Sequence, residues 1–236
     1  MSDLDPSALF TRLARVLAGS DTSQPLELRL CRAYLTLLGG DGAAITLSYT
    51  DPDRVTLCTT DDTAARLEDL QDVLGEGPGT TAYRTAAIAV ADLGSDRDPW
   101  PLFTNAARGI PGAAVVYAVP MRPGGSPLGV LTVHYSAGID LPDPSVAQYL
   151  ADTIGAALVE ASPAHEADWR NSSWSSRAEV HQATGMVVAQ LRISPEDALA
   201  LLRAHAFSHN VTLTDIAAQI ISRRLRFSDD PESETP

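Results

Sequence analysis

The sequence predicts an α+β chain: a mixed sheet with flanking helices over 26–160, then an all-α bundle of three short helices over 177–227. Three observations carry this. Short β-prone runs alternate with amphipathic stretches through the first part. After Arg177 the apolar residues fall at helical spacing, and two start signals, Ser194-Pro195-Glu196-Asp197 and Thr212-Leu213-Thr214-Asp215, divide that stretch into three. The charge also splits. Of 30 acidic and 17 basic residues, all the latter arginine, residues 1–176 carry a net −11 and 177–227 a net +2, while 228–236 hold four acids and no base.

In chain order, Met1–Pro6 reads as frayed, and Leu9, Leu13 and Val16-Leu17 make a short helix ending near Gly19, inside an N-terminal extension of residues 1–25. Leu28, Cys31, Leu35 and Leu38 recur at helical spacing and stop at Gly39-Gly40, which makes Cys31 a small buried hydrophobe. Ala43–Tyr49 and Arg54–Thr60 form strands joined by the turn Thr50–Asp53. Asp61–Leu74 returns to helix with Ala65, Leu70 and Val73-Leu74 inward, and Gly75-Glu76-Gly77-Pro78-Gly79 ends it. An edge strand at Ala87–Val90 and a short helix from Trp100-Pro101 to about Arg108 follow. Ala113–Pro120 and Leu128–Tyr135 make a hairpin across the flexible connection Met121–Pro127. Asp143 then caps a helix with Pro144 at its first position and Val146, Leu150, Ile154 and Ala157-Leu158 on its packed face.

Ser162-Pro163 weakens or ends that helix, and residues 161–176 form a linker or weak coiled coil. Trp169, Ser173, Ser176, Val180, Ala183 and Val187 follow a heptad rhythm. Trp169, Val180 and Val187 on it are candidates for pairing two chains or for coupling the two parts, with packing inside one chain as the alternative. In the terminal bundle, Val180, Ala183, Val187 and Leu191 share one face, Ala198, Leu202 and Ala206 with Leu201 beside them a second, and Leu213, Ile216, Ala217, Ile220 and Ile221 a third.

The terminal stretch resembles an ANTAR domain, the three-helix RNA-binding output module of bacterial transcription antitermination regulators. The residues that carry the resemblance are Arg177, Val180, Ala183, Gly185, Ala198, Leu202-Arg203, Ala206, Leu213 and Ile216-Ala217. The family commonly has lysine where this chain has Thr184. Residues 26–160 resemble a GAF domain of the kind that precedes ANTAR in actinobacterial proteins. That likeness rests on Leu67-Glu68-Asp69-Leu70-Gln71, Gly75–Pro78, Ala82-Tyr83, Asp92-Leu93, Trp100–Phe103, Pro120 and Leu128-Gly129. Relatives often carry cysteine after the GEGP run, where this chain has Gly79. The resemblance implies a sensory fold that takes small molecules in different relatives. It identifies no cofactor for this chain, only an unknown small-molecule ligand as an option.

Several function classes are disfavoured. GEGPG follows a helix, lacks the GxGxxG spacing and has no lysine, so it reads as a structural turn whose N–H groups could line a pocket mouth. His134 sits opposite Val133 in an alternating run and reads as solvent-exposed; with Cys58 it has no partner at metal-ligand spacing. Cys31 and Cys58 are too few and too isolated for a disulfide scaffold or a thiolate metal site. No nucleophile is coupled to His165, His181, His205 or His209, so neither catalytic nor metal residues are expected. No apolar run approaches a membrane span and no leader pattern is present, so the expectation is a soluble cytoplasmic protein without a membrane partner.

The resemblance makes Arg177, His181, Thr184, Arg203, His205, Arg223 and Arg224 the candidate RNA contacts, with Ala183, Gly185, Ala198, Leu202, Ala206 and Ala217 as close-packing motif residues. Arg203 has a second reading, its stem covering the core while the guanidinium holds an acid. The arginines at 223, 224 and 226 also suit a helix end electrostatically. The expected function is an RNA-binding antitermination regulator. Its expected partners are mRNA stem-loops and a second copy of itself, with transcription machinery in proximity. The alternative is a ligand-sensing or protein-interaction protein whose bundle does not bind RNA. The acidic tail 228–236 is expected to be disordered.

Overall fold

The computed structural model describes residues 5–47, 54–95, 99–136, 141–209 and 211–227, with the backbone alone over 162–178. The chain divides into two compact units, Met1–Glu166 and Ala167–Pro236. The turn Thr50–Asp53, the tail 228–236 and the side chains of His165, Trp169 and Arg177 lie outside the described residues.

The first unit opens with α1 (Pro6–Ala18). Asp5 starts it by accepting the N–H groups of Ser7 and Ala8, and Pro6 fills the first position; residues 1–4 of the stretch expected to fray lie outside the described residues. Helix α2 (Leu26–Leu38) buries Leu30, Cys31, Ala33 and Tyr34. Arg29 ties the two helices by donating to the Ser20 hydroxyl (2.8 Å) and the Leu17 carbonyl (3.2 Å).

Five strands form one sheet: β1 (Gly42–Leu47), β2 (Val55–Thr59), β3 (Ala89–Asp92), β4 (Val115–Met121) and β5 (Gly129–Tyr135), in the order β2-β1-β5-β4-β3. Every ladder is antiparallel, which corrects the mixed sheet expected from sequence. Consecutive strands β1–β2 and β4–β5 pair directly, and β1 returns beside β5 in the opposite sense.

Helices cover both faces of this sheet. On one side lie α3 (Asp62–Leu74), α4 (Pro78–Thr85) and α5 (Pro101–Ala107). Leu67, Ala82, Trp100, Phe103 and Ala107 from these helices pack with Val116, Ala118 and Val130 of the sheet. Helix α4 has no counterpart in the sequence-based expectation, because Pro78 reads as a breaker whereas here it occupies a tolerated first helical position. On the other side are α2 and the start of α6 (Pro144–Leu191), capped by Asp143 as expected. Tyr34 donates to the Ala147 carbonyl (3.1 Å), and Asp152 accepts the Arg122 N–H (2.8 Å).

Between α3 and the sheet lies a buried charge. Leu70 and Leu74 pack against the core and Val73 is buried, as expected, but Ala64, Leu67, Glu68 and Gln71 are buried on α3 as well, and Ala65 is not. One Glu68 carboxylate oxygen accepts Thr46 (2.8 Å) and Arg54; the other accepts Thr132 (2.6 Å) and Gln71 (3.2 Å). Four donors therefore fill the lone-pair positions of one carboxylate.

Helix α6 runs without interruption through Ser162-Pro163, where a break was expected. Proline removes one backbone hydrogen bond of a helix, but the strong helix formers Ala161, Ala164, Glu166 and Ala167 surround it. In the second unit, α6 is joined by α7 (Pro195–His209) and α8 (Leu213–Ile221). Both start signals form: Ser194 accepts the Asp197 N–H (3.0 Å), and Thr212 and Asp215 make a reciprocal capping box. The bundle core holds Ala183, Val187, Ala198, Leu199, Leu202, Ala206, Leu213, Ile216, Ala217 and Ile220. Leu199, not Leu201, flanks the middle stripe; Leu201 is exposed. Gly185 is no close-packing residue either, because it faces outward and a Cβ there would meet open space.

Two stability experiments follow from these positions. Ala183→Trp should cost about 1–3 kcal/mol by overpacking a buried position, whereas Gly185→Ala should raise stability by about 0.5–1 kcal/mol through helix propensity alone. A destabilising Gly185→Ala in thermal melts would return Gly185 to a packed interface. Glu68→Gln should cost about 3–5 kcal/mol in denaturant unfolding of the first unit, because it strips the Arg54 guanidinium of its buried counter-charge. A loss below about 1 kcal/mol would show that the pair is solvated.

Candidate functional site

The first unit holds a small, mostly apolar cavity beside the Glu68 network. Gly42, Ala64, Leu67, Val116, Thr132 and His134 line a cavity with room for about one water molecule. His134 is only 3% exposed, which corrects the expectation of an outward side chain. Strand β5 is the middle strand and is buried on both faces, so alternation along it cannot mark a solvent side. The His134 Nε2 lies 2.9 Å from the Asp61 carboxylate, while its Nδ1 has no hydrogen-bond partner among the described residues. Asp61 also caps α3 through the Ala64 N–H (2.9 Å), so one carboxylate joins the helix start to the central strand. Gly42 makes room for this pair, since a Cβ there would collide with both side chains.

The GEGPG run is a junction of three helices. Gly75 (φ 66°) ends α3 in the left-handed conformation, Glu76 accepts the Leu102 and Phe103 N–H groups (2.9 and 3.0 Å) to cap α5, and Pro78 begins α4. The Gly79 N–H donates to Gln71 (2.7 Å), and a side chain at 77 or 79 would press on that glutamine. This is the structural turn that its sequence suggested; its amides cap and brace protein groups.

Cys31 and Cys58 are not isolated. Helix α2 and strand β2 bring their thiols within hydrogen-bonding reach, and this pairing together with burial raises the Cys31 thiol well above its ordinary range. The pairing was invisible in sequence because 26 residues and a change of element separate the two. Among the described residues no group of three metal-ligating side chains converges.

In the second unit the predicted RNA contacts spread over more than one face. His181 is exposed, and Thr184 is half-buried with its hydroxyl donating to the Val180 carbonyl (2.8 Å). Arg203 is half-buried and stands two residues from His205, about 200° around α7, so the two occupy different faces. His205, Arg223 and Arg224 come toward one end of the bundle. There Gln190 near the end of α6 accepts the Phe227 N–H (3.1 Å), and the Phe227 ring meets His205 edge-on at 5.5 Å. His181 and Thr184 lie about 14 and 9 Å from Gln190 along α6, measured at the helical rise.

Arginine takes the left-handed position after two helices, Arg192 (φ 56°) beyond α6 and Arg223 (φ 60°) beyond α8. Glycine ordinarily serves there, so each costs local strain. After α8 the turn is held by the Arg224 and Leu225 N–H groups on the Gln219 carbonyl (2.9 and 3.1 Å), and it leaves Arg223, Arg224 and Arg226 exposed. Helix α8 therefore stops before these arginines. Val187 and Ala183 are spent in the bundle's own core, so the later half of the heptad rhythm serves packing within the chain; Val180 is half-buried. No helix among the described residues is long and apolar enough to cross a membrane.

A sensor-kinase domain from Sinorhizobium meliloti superposes with a TM-score of 0.46 at 15% identity, covering 60% of this chain and 93% of that one. The phycocyanobilin-bound GAF domain of a cyanobacterial phytochrome gives a TM-score of 0.44 at 12% identity, covering 69% and 98%. The chromophore-binding domain of the Stigmatella aurantiaca bacteriophytochrome gives 0.41 at 13%, covering 66% and 62%. No curated relative matches the chain. The second unit has a direct family match, over residues 172–221, which take in the end of α6 and all of α7 and α8: this chain carries an ANTAR domain.

Proposed function

We propose that this chain is an RNA-binding transcription antitermination regulator. Its ANTAR domain engages structured nascent mRNA leaders, and its first unit serves as a GAF-type sensory or dimerisation domain. One observation carries the reading: the exposed arginines at 223, 224 and 226 gather in the stretch 177–227, net +2, of a chain whose formal charge is −13. An acidic body repels a polyanion, so attraction must come from that local face. Arginine there would hold phosphates, while sequence preference comes from splayed loop bases. No covalent step is needed, since binding free energy alone can favour one RNA fold over a competing one.

Thr184 stands where the family commonly has lysine, and its hydroxyl is already bonded to its own helix. We therefore place the principal RNA-facing groups at the far end of α6 and the segment after α8, and not around Thr184. Pairing of two copies through the Trp169–Val180 stretch would present two bundles to paired stem-loops. The setting consistent with this role is the cytoplasm, near transcribing polymerase.

An Arg223→Glu, Arg224→Glu variant of the full chain should remain folded yet bind an mRNA leader far more weakly. The slope of log K against log salt should fall by roughly 0.7 for each phosphate of single-stranded RNA that the variant no longer neutralises. Filter binding across a salt titration measures both. Equal affinity and equal slope in variant and wild type would remove this face from RNA recognition and favour a ligand-sensing or protein-interaction role.

A further inference from the structure

At the end of the bundle, the His205 and His209 rings stack with centroids 4.0 Å apart and 27° between planes. Phe227 packs edge-on against His205, with the ring centroids 5.5 Å apart. Three segments build this column: the end of α6 through Gln190, the end of α7, and the chain after α8. The outer ring is held in place. His209 Nδ1 lies 2.9 Å from the His205 carbonyl, and a carbonyl only accepts, so Nδ1 carries the proton. The Ser208 hydroxyl, itself donating to the same carbonyl (2.9 Å), sits 2.9 Å from that nitrogen as well. His209 Nε2 is thereby left as the open ring nitrogen. Burial, then the neighbouring His209, lowers the tendency of His205 to protonate, which keeps the inner ring neutral and suited to stacking.

We propose that the His209 ring is a stacking platform for one unpaired RNA base, with His205 and Phe227 as its backing and the arginines of 223–226 holding the flanking phosphates. This rests on the RNA-binding reading and names the subsite within it. His209 is exposed, its ring is fixed before binding, and its stacking partner occupies only the inner face, so the outer face is available to a second π-system. An aromatic face ordered in advance loses little conformational freedom when a base docks. Arginines in the same segment supply the charge that an isolated aromatic pair would lack, the combination used by single-strand binding surfaces. A base in a closed duplex offers no free face, so the platform selects loops.

The test uses the full chain and an RNA hairpin with an all-purine loop, carrying 2-aminopurine at each loop position in turn. Binding of wild type should quench the fluorescence at one loop position. His209→Ala should weaken binding by about 5- to 150-fold and abolish that quenching, whereas His209→Phe should keep both. Far-ultraviolet circular dichroism checks that the variants stay helical. Unchanged affinity and quenching in His209→Ala would overturn the platform while leaving RNA binding intact. Equal losses in the Ala and Phe variants would also overturn it, by assigning His209 a hydrogen-bonding role through Nε2. Failure of wild type to bind the hairpin at low salt would overturn the RNA reading and the platform together.

Discussion

A single buried carboxylate sets the geometry of the first unit. Glu68 is almost fully removed from water, and an unpaired charge there would carry a penalty of several kcal/mol. Its four donors come from β1, β5, α3 itself and the residue just before β2, so satisfying the charge also fixes how α3 lies on the sheet. Gln71 extends the constraint by accepting from Gly79, and Glu76 passes it on by capping α5. The GEGP junction is thus the far end of the same polar scaffold. A second carboxylate, Asp61, repeats the device at the start of α3 by joining a helix cap to His134.

This scaffold explains what the sequence could and could not convey. Strand and helix order was legible because turn residues punctuate it and because Asp143, Ser194 and Thr212 announce their helices. The polar part of the inner face of α3 was missed because pattern reading sends polar residues outward, whereas Glu68 turns inward to Thr46 and Thr132, far along the chain, and Gln71 to Glu68 and Gly79. A signal was present nonetheless: both belong to the Leu67–Gln71 run that carried the GAF resemblance. His134 failed for a related reason, since an alternating strand at the centre of a doubly covered sheet has no wet face. The meeting of Cys31 and Cys58 depends on the packing of α2 against β2, which no local pattern encodes.

The candidate site in the second unit was legible in composition more than in position. Clustering of arginines near 223–226 was evident from the sequence, but their common end with His205 and Phe227 follows from the turn after α8. His209 was open to base stacking or to a plain surface role from sequence, and Phe227 went unassigned because it lies beyond the last helix, where spacing suggests nothing. Arg203 illustrates the reverse case, a residue picked through the family resemblance that lies on another face of α7 from His205.

The central claim is that a basic end of the ANTAR bundle meets RNA while the acidic unit stays clear of it. Backbone amide chemical-shift mapping of the full chain during titration with an RNA hairpin at about 0.1 M salt, where surface charges more than about 10 Å apart are screened, tests this most directly. The account predicts the largest perturbations at residues 190–192, 205–209 and 222–227, with the amides of β1 to β5 little changed. Perturbations centred on the sheet, or none within 177–227 at saturating RNA, would contradict it.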